Sequence, residues 1–138
     1  MGVDIEIIYE GGLHTTAKHG PSGDTLSTDA PVDNGGKGEA FSPTDLVATA
    51  LGACMVTVMG LVAQRDGIAM DGTRVHVVKE MAQEPVRRIG CLRTTVTFPA
   101  GSAYDAATRT KLENAANLCP VKQSLHPDVR LELEFVYP

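Results

Sequence analysis

Apolar and polar residues alternate at the start of the chain. Val3, Ile5 and Ile7 are set against Asp4 and Glu6, the two-residue period of a half-buried strand over residues 3–9. Gly11-Gly12 marks a hairpin turn, and residues 13–19 read as a second strand. Gly20-Pro21-Ser22-Gly23 makes the next turn, residues 24–30 a short third strand, and residues 31–41, with Asn34-Gly35-Gly36 and Gly38, a loop. The pattern then changes. Ser42 fits a helix N-cap, Pro43 the first helical position, and Asp45 follows the cap by three residues. These signals predict a helix to about Asp66, stopped by Gly67. Its apolar residues cover nearly every face, which predicts burial on all sides, inside the fold or a subunit interface. Residues 75–81 and 86–98 read as two longer strands joined at Glu84-Pro85. A second helix is expected from Ser102, with Asp105 as capping partner and Tyr104, Thr108, Leu112, Ala115 and Leu118 at helical spacing. Pro120 disfavours helical geometry at Cys119, so a short new turn is expected from Pro120 through Leu125. Leu131, Leu133 and Phe135 alternate with Glu132 and Glu134 in a last strand. The order predicts one α+β domain over residues 1–138, with antiparallel sheets packed on two helices.

Composition narrows the function. The net charge is −5, from 12 Lys and Arg against 17 Asp and Glu, and no basic segment carries interleaved aromatics; a nucleic-acid partner is not expected. Residues 46–63 carry no charge and approach the length of a membrane span. They are rich in Ala, Gly and Thr and lack an aromatic belt and basic flanks, so a buried helix is expected and no membrane partner. The first residues have neither the basic nor the apolar region of a secretory signal, and a cytoplasmic location is expected. Aromatics are scarce, three Tyr and three Phe with no Trp, so small and aliphatic side chains must fill the core. A helix apolar all round needs more cover than a chain of 138 residues easily provides, and a homodimer supplies it.

The three cysteines do not suit a disulfide scaffold. Cys54, inside the apolar helix, has the ordinary reading of a small core residue. Cys91 lies mid-strand on the face opposite Leu92 and Val96 and reads as a structural bystander. Cys119 precedes Pro120 as a candidate N-cap, where the free N–H groups of a new turn lower a thiol's pKa. By position it is the more plausible reactive thiol. A zinc site would need Cys54, Cys119 and histidines to converge, and no Cys-x-x-Cys or His pair at ligand spacing is present. His14, His19 and His76 read as solvated strand residues. His126 is the one histidine near Cys119 in the chain, and a Cys–His pair there is a further alternative.

The segment Ser42-Pro43-Thr44-Asp45-Leu46, continued by Ala48, Ala50 and Leu51-Gly52-Ala53-Cys54, resembles the first signature of the OsmC/Ohr family of osmotically inducible and organic hydroperoxide resistance proteins. Leu118-Cys119-Pro120-Val121 resembles the second, in matching order and spacing. The resemblance implies an intertwined α+β homodimer with two β-sheets wrapped around central helices. It implies a thiol-dependent peroxidase that reduces organic hydroperoxides to alcohols, with Cys54 peroxidatic and Cys119 resolving. An external dithiol reductant, lipoyl-type or other, restores the thiols, and no bound cofactor is required. An apolar pocket beside Cys54 would favour bulky alkyl peroxides; Phe41, Met55 and Met59 are candidate lining residues.

The chain departs from the family's pattern in its charges. Family members hold an Arg with a Glu beside the peroxidatic thiol, whereas the first Arg here is Arg65. Thr44 stands at the position of that Glu and Asp45 follows it; Asp45 is the candidate carboxylate and also the capping partner of Ser42. Lys18 and Lys37 are the cations of the N-terminal third, and Arg87 or Arg88 is a candidate to reach the pocket across the dimer. These departures keep open an alternative, an OsmC-like dimer that binds a small apolar ligand without catalysis.

Overall fold

The alternation at the start of the chain builds a three-stranded antiparallel sheet. The computed structural model describes residues 1–138, which fall into two compact units, Met1–Val47 and Ala48–Pro138. In the first, β1 (Ile5–Tyr9), β2 (His14–His19) and β3 (Thr25–Asp29) lie in the order β1-β2-β3. The turn between β1 and β2 places Gly11, Gly12 and Leu13 at positive φ, which glycine adopts at least cost. Ile7 pairs with Ala17, and Ala17 with Leu26. With the two-residue period, Ile5, Ile7, Tyr9 and Leu26 share one face, and all four remain exposed. Residues 30–41 follow as a loop around a short 3-10 turn, Val32–Asn34. Gly36 is obligatory there, because a Cβ would lie 1.8 Å from the Ala30 carbonyl oxygen.

Helix α1 (Pro43–Asp66) opens in the first unit and runs on through the second. It ends as expected at Gly67, whose φ is +68°. Leu51, Met55, Met59 and Ala63, one turn apart, are buried. Gly52 lets the helix approach β4 (Arg74–Ala82): a Cβ there would come within 2.9 Å of Val77 Cγ2 and 3.1 Å of Val75 Cγ1. Within one chain α1 is covered on part of its surface only: Ala50, Ala53, Thr57 and Leu61 form an exposed stripe.

In the second unit β4, β5 (Arg88–Thr97) and β6 (Arg130–Val136) form a sheet in the order β4-β5-β6. Its core side carries Leu92, Thr94 and Val96, all buried, followed by Phe98. β4 and β5 are antiparallel, but β5 and β6 are parallel, so the sheet is mixed rather than antiparallel throughout. The cause is the connection: the chain leaves β5, forms α2 (Ala106–Asn117) and α3 (Pro120–Ser124), and returns to the same end, as a parallel pair requires.

Helix α2 starts four residues later than expected. Asp105, not Ser102, is its N-cap and accepts the Thr108 N–H at 2.8 Å. Gly101 and Ala103 have φ of +77° and +49°, which stops a helix from extending back through them, and Ser102 turns both its N–H and its hydroxyl onto the Pro99 carbonyl. Four of the six aromatic rings, Phe98, Tyr104, Phe135 and Tyr137, pack together. The Arg109 guanidinium lies 4.2 Å from the centre of the Tyr137 ring.

Candidate functional site

Cys54 and Cys119 meet in the second unit. Cys54 sits half-buried on α1, and Cys119 sits fully buried as the N-cap of α3. Pro120, which has no N–H to lose at the first helical position, starts α3, so the chain turns at Cys119 as the sequence suggests. The Cys119 N–H bonds back to Ala116 and its carbonyl accepts from Gln123, which fixes the backbone on both sides of the thiol. Both are free thiols, near enough for the Cys54 sulfur to act on the Cys119 thiol. Two cysteines far apart in the chain thus belong to one core cluster.

The expectation of a low-pKa Cys119 is overturned. Burial pushes its thiol up, and the adjacent Cys54 sulfur pushes it further; the Val121 and Lys122 N–H groups pull down but do not prevail. The α3 N-terminus does face the sulfur, yet no cap hydrogen bond closes, and a desolvated thiolate costs more than one short turn returns. Cys119 therefore keeps its proton at neutral pH.

Asp45 Oδ2 accepts the Ser42 N–H at 2.9 Å, and Ser42 Oγ accepts the Asp45 N–H at 3.1 Å, a reciprocal capping box. Met55 and Met59 are enclosed in the core at 1% and 0% exposure. Phe41 is exposed and its carbonyl accepts the Asp29 N–H. Lys37 is exposed, with its charge acting on Asp29. Arg88 turns its guanidinium onto the carbonyls of Glu84, Ile89 and Asp128, tying the β4–β5 turn to the start of β6.

Cys91 is buried beneath charged neighbours, its Sγ 3.4 Å from Glu132 Oε2, which also pairs with Arg93. His126 is exposed, its Nδ1 accepting the Asp128 N–H. No three His, Cys, Asp or Glu side chains converge as metal ligands. An open cleft of about 880 Å³ lies between the ends of α1 and β5 and the start of α2, lined by Ile68, Asp71, Ser102 and Tyr104 among others; none of the candidate residues lines it.

Sequence reasoning missed His14. Read as a solvated strand residue, it is paired with Asp29, a buried carboxylate. The available signal was an acidic residue beside a Gly-rich segment, which alone is too common to select a partner.

A family profile described as OsmC-like protein matches residues 36–134, spanning both cysteines. The chain belongs to the OsmC-like family. Among solved structures, a Psychrobacter arcticus 273-4 protein named for osmotic stress induction and detoxification response is 43% identical. The match covers 95% of this chain and 93% of that one with a TM-score of 0.89. An organic hydroperoxide resistance protein OsmC from Legionella pneumophila shares the fold at 16% identity, covering 99% and 97% of the two chains with a TM-score of 0.76. An organic hydroperoxide resistance protein from Elizabethkingia anophelis does so at 16% identity, covering 100% and 97% with a TM-score of 0.78. No curated protein matches the chain. The α+β architecture of this OsmC-like chain is that of the family, and membership points to a redox or peroxidase-related role.

Proposed function

We propose that this OsmC-like protein is a thiol-dependent peroxidase for organic hydroperoxides, with Cys54 peroxidatic and Cys119 resolving. The observation that carries the reading is the proximity of the two free thiols in one core cluster. The Cys54 thiolate attacks the distal peroxide oxygen; the O–O bond breaks and the alkoxide leaves as an alcohol after taking a proton. Cys54 is then a sulfenic acid. Cys119, already adjacent, attacks that sulfur, and its proton leaves with the hydroxyl as water. The product is a Cys54–Cys119 disulfide, which an external dithiol reduces by thiol–disulfide exchange. Asp45 has its place at the α1 cap, where it orders the helix that carries Cys54. Pairing of two copies through the exposed stripe of α1 and the apolar face of the first sheet would complete the cover that both lack.

The test is consumption of an alkyl hydroperoxide with a dithiol reductant. Cys54→Ser should lose at least about 100-fold in rate, on the scale expected when a nucleophile is removed. Cys119→Ser should complete one turnover and then stall. Equal rates for wild type and Cys54→Ser would sink the proposal. The engagement of Arg88 by three carbonyls favours the second reading, a ligand-binding dimer without catalysis. Mass spectrometry after one equivalent of alkyl peroxide separates the two: a Cys54–Cys119 link marks the peroxidase, an untouched pair the binder.

A further inference from the structure

The first unit holds a group that the thiol chemistry does not use. Asp29 is the one acidic side chain of the chain that is buried, at 4% exposure. Its Oδ1 lies 2.5 Å from His14 Nδ1, and its Oδ2 accepts the Glu39 N–H at 2.9 Å. One carboxylate thus joins the start of β2 to residues 30–41, the segment that feeds α1. The other ring nitrogen of His14, Nε2, lies 3.6 Å from Glu10 Oε1 in the β1–β2 turn. Glu10 is itself held by the Thr16 hydroxyl. Lys37 adds its charge on the Asp29 side.

Both ring nitrogens therefore face carboxylate oxygens. A neutral imidazole has one N–H and one lone pair, so either tautomer can serve only one of the two carboxylates. The imidazolium, a donor at both nitrogens, serves both. Histidine is also the side chain whose charge ordinarily changes between about pH 5 and 8.

We propose that His14, Asp29 and Glu10 form a proton-operated clasp that fixes the β1–β2 turn and the segment 30–41 when His14 is protonated, and releases Glu10 and loosens Asp29 when it is not. The charged groups in the balance are Glu10 and Asp29, which favour the closed form, and Lys37, which draws on Asp29 from the segment. Gly35 and Gly38 in this segment have positive φ, and Gly36 packs against the Ala30 carbonyl. Displacing the segment moves a piece of chain rich in residues that adopt other conformations at little cost. The Asp29 N–H to the Phe41 carbonyl and the Ala30 N–H to the Leu13 carbonyl, both at 3.1 Å, stay available in both forms and would limit the movement to residues 31–40.

Nuclear magnetic resonance titration of the full chain from pH 5.5 to 8.5 tests the clasp. The Glu39 amide, the Glu10 carboxyl carbon and the His14 ring should shift with one shared midpoint. Amide protection at Glu39, corrected for intrinsic exchange, should fall at least about fivefold across it. In His14→Gln the Glu39 shift with pH should vanish. A Glu39 amide that moves identically in His14→Gln, or does not follow the ring, overturns the proposal. Glu10→Gln, which leaves the Asp29 bond in place, guards against misfolding of the first variant. Its amide can pair with either form of the ring, so the response of the Glu39 amide to pH should shrink, and an undiminished response would overturn the clasp equally. None of these readouts depends on peroxidase activity.

Discussion

At the scale of single residues, environment rather than position in the motif sets the behaviour of the two site thiols. Cys119 is buried at the head of a five-residue helix, and the desolvation of its sulfur outweighs the two N–H groups that face it. It should therefore react slowly with iodoacetamide at pH 7.5, while half-buried Cys54 is modified at least about tenfold faster, since both thiolate fraction and access govern alkylation. Peptide mapping after timed alkylation checks this, and faster labelling of Cys119 would refute it. Tyr137 is a second residue whose surroundings decide its chemistry. Burial raises its pKa, and its hydroxyl, donated to Glu113 Oε2 at 2.6 Å, raises it further. A group raised in the folded state contributes its stability below its unfolded pKa, about 10, and loses it as pH climbs toward the folded value. Tyr137→Phe should cost about 1 kcal/mol at neutral pH and flatten the decline of stability above pH 10, as measured by urea unfolding.

At the scale of elements, α1 depends on close approach and on its two ends. Gly52 lies in the motif before Cys54, yet its evident function is to let β4 come near. Gly52→Ala should destabilise the protein by about 1–3 kcal/mol through overpacking against Val75 and Val77, read from the shift in denaturant midpoint. The C-terminal end of α1 is tied to α2 through Asp66, which pairs with Arg65 and with Lys111. Those two cations hold its pKa down to about 2. A depressed carboxylate contributes stability above its unfolded value, near 4, and loses it as pH falls toward 2. Lys111→Met should therefore shrink the loss of stability between pH 4 and pH 2, and an unchanged acid limb would show that the tie contributes nothing measurable.

At the scale of the whole molecule, the exposed apolar surface is the ground for the proposed pairing of two copies. Ile5, Ile7, Tyr9 and Leu26 on the first sheet and Leu61 on α1 stand in solvent at 47% exposure or more, an expensive arrangement for an isolated chain. Analytical ultracentrifugation at micromolar concentration should find a dimer. Leu61→Asp should shift it toward monomer if the α1 stripe lies in the interface; dimerisation unchanged by both Leu61→Asp and Ile7→Asp would exclude these two faces.

Much of this molecule was legible in the sequence because local physics sets it. The Ser42–Asp45 capping box, the stop at Gly67, the break at Pro120 and the alternation of β6 depend on residues within a few positions of one another, so spacing alone reveals them. The cysteine pair was legible through its two motifs, but their proximity was not, because it depends on the core that gathers residues of α1 and the start of α3. Four features were decided by what lies beyond the local pattern. β6 joins β5 in parallel because the intervening helices carry the chain back to the same end, although the length of that connection already hinted at a crossover. The start of α2 moved to Asp105 because left-handed backbone at Gly101 and Ala103 is not written in any periodic pattern. Cys119 gained a raised pKa, and His14 a buried partner, because desolvation and pairing depend on what the fold brings against a side chain from elsewhere in the chain.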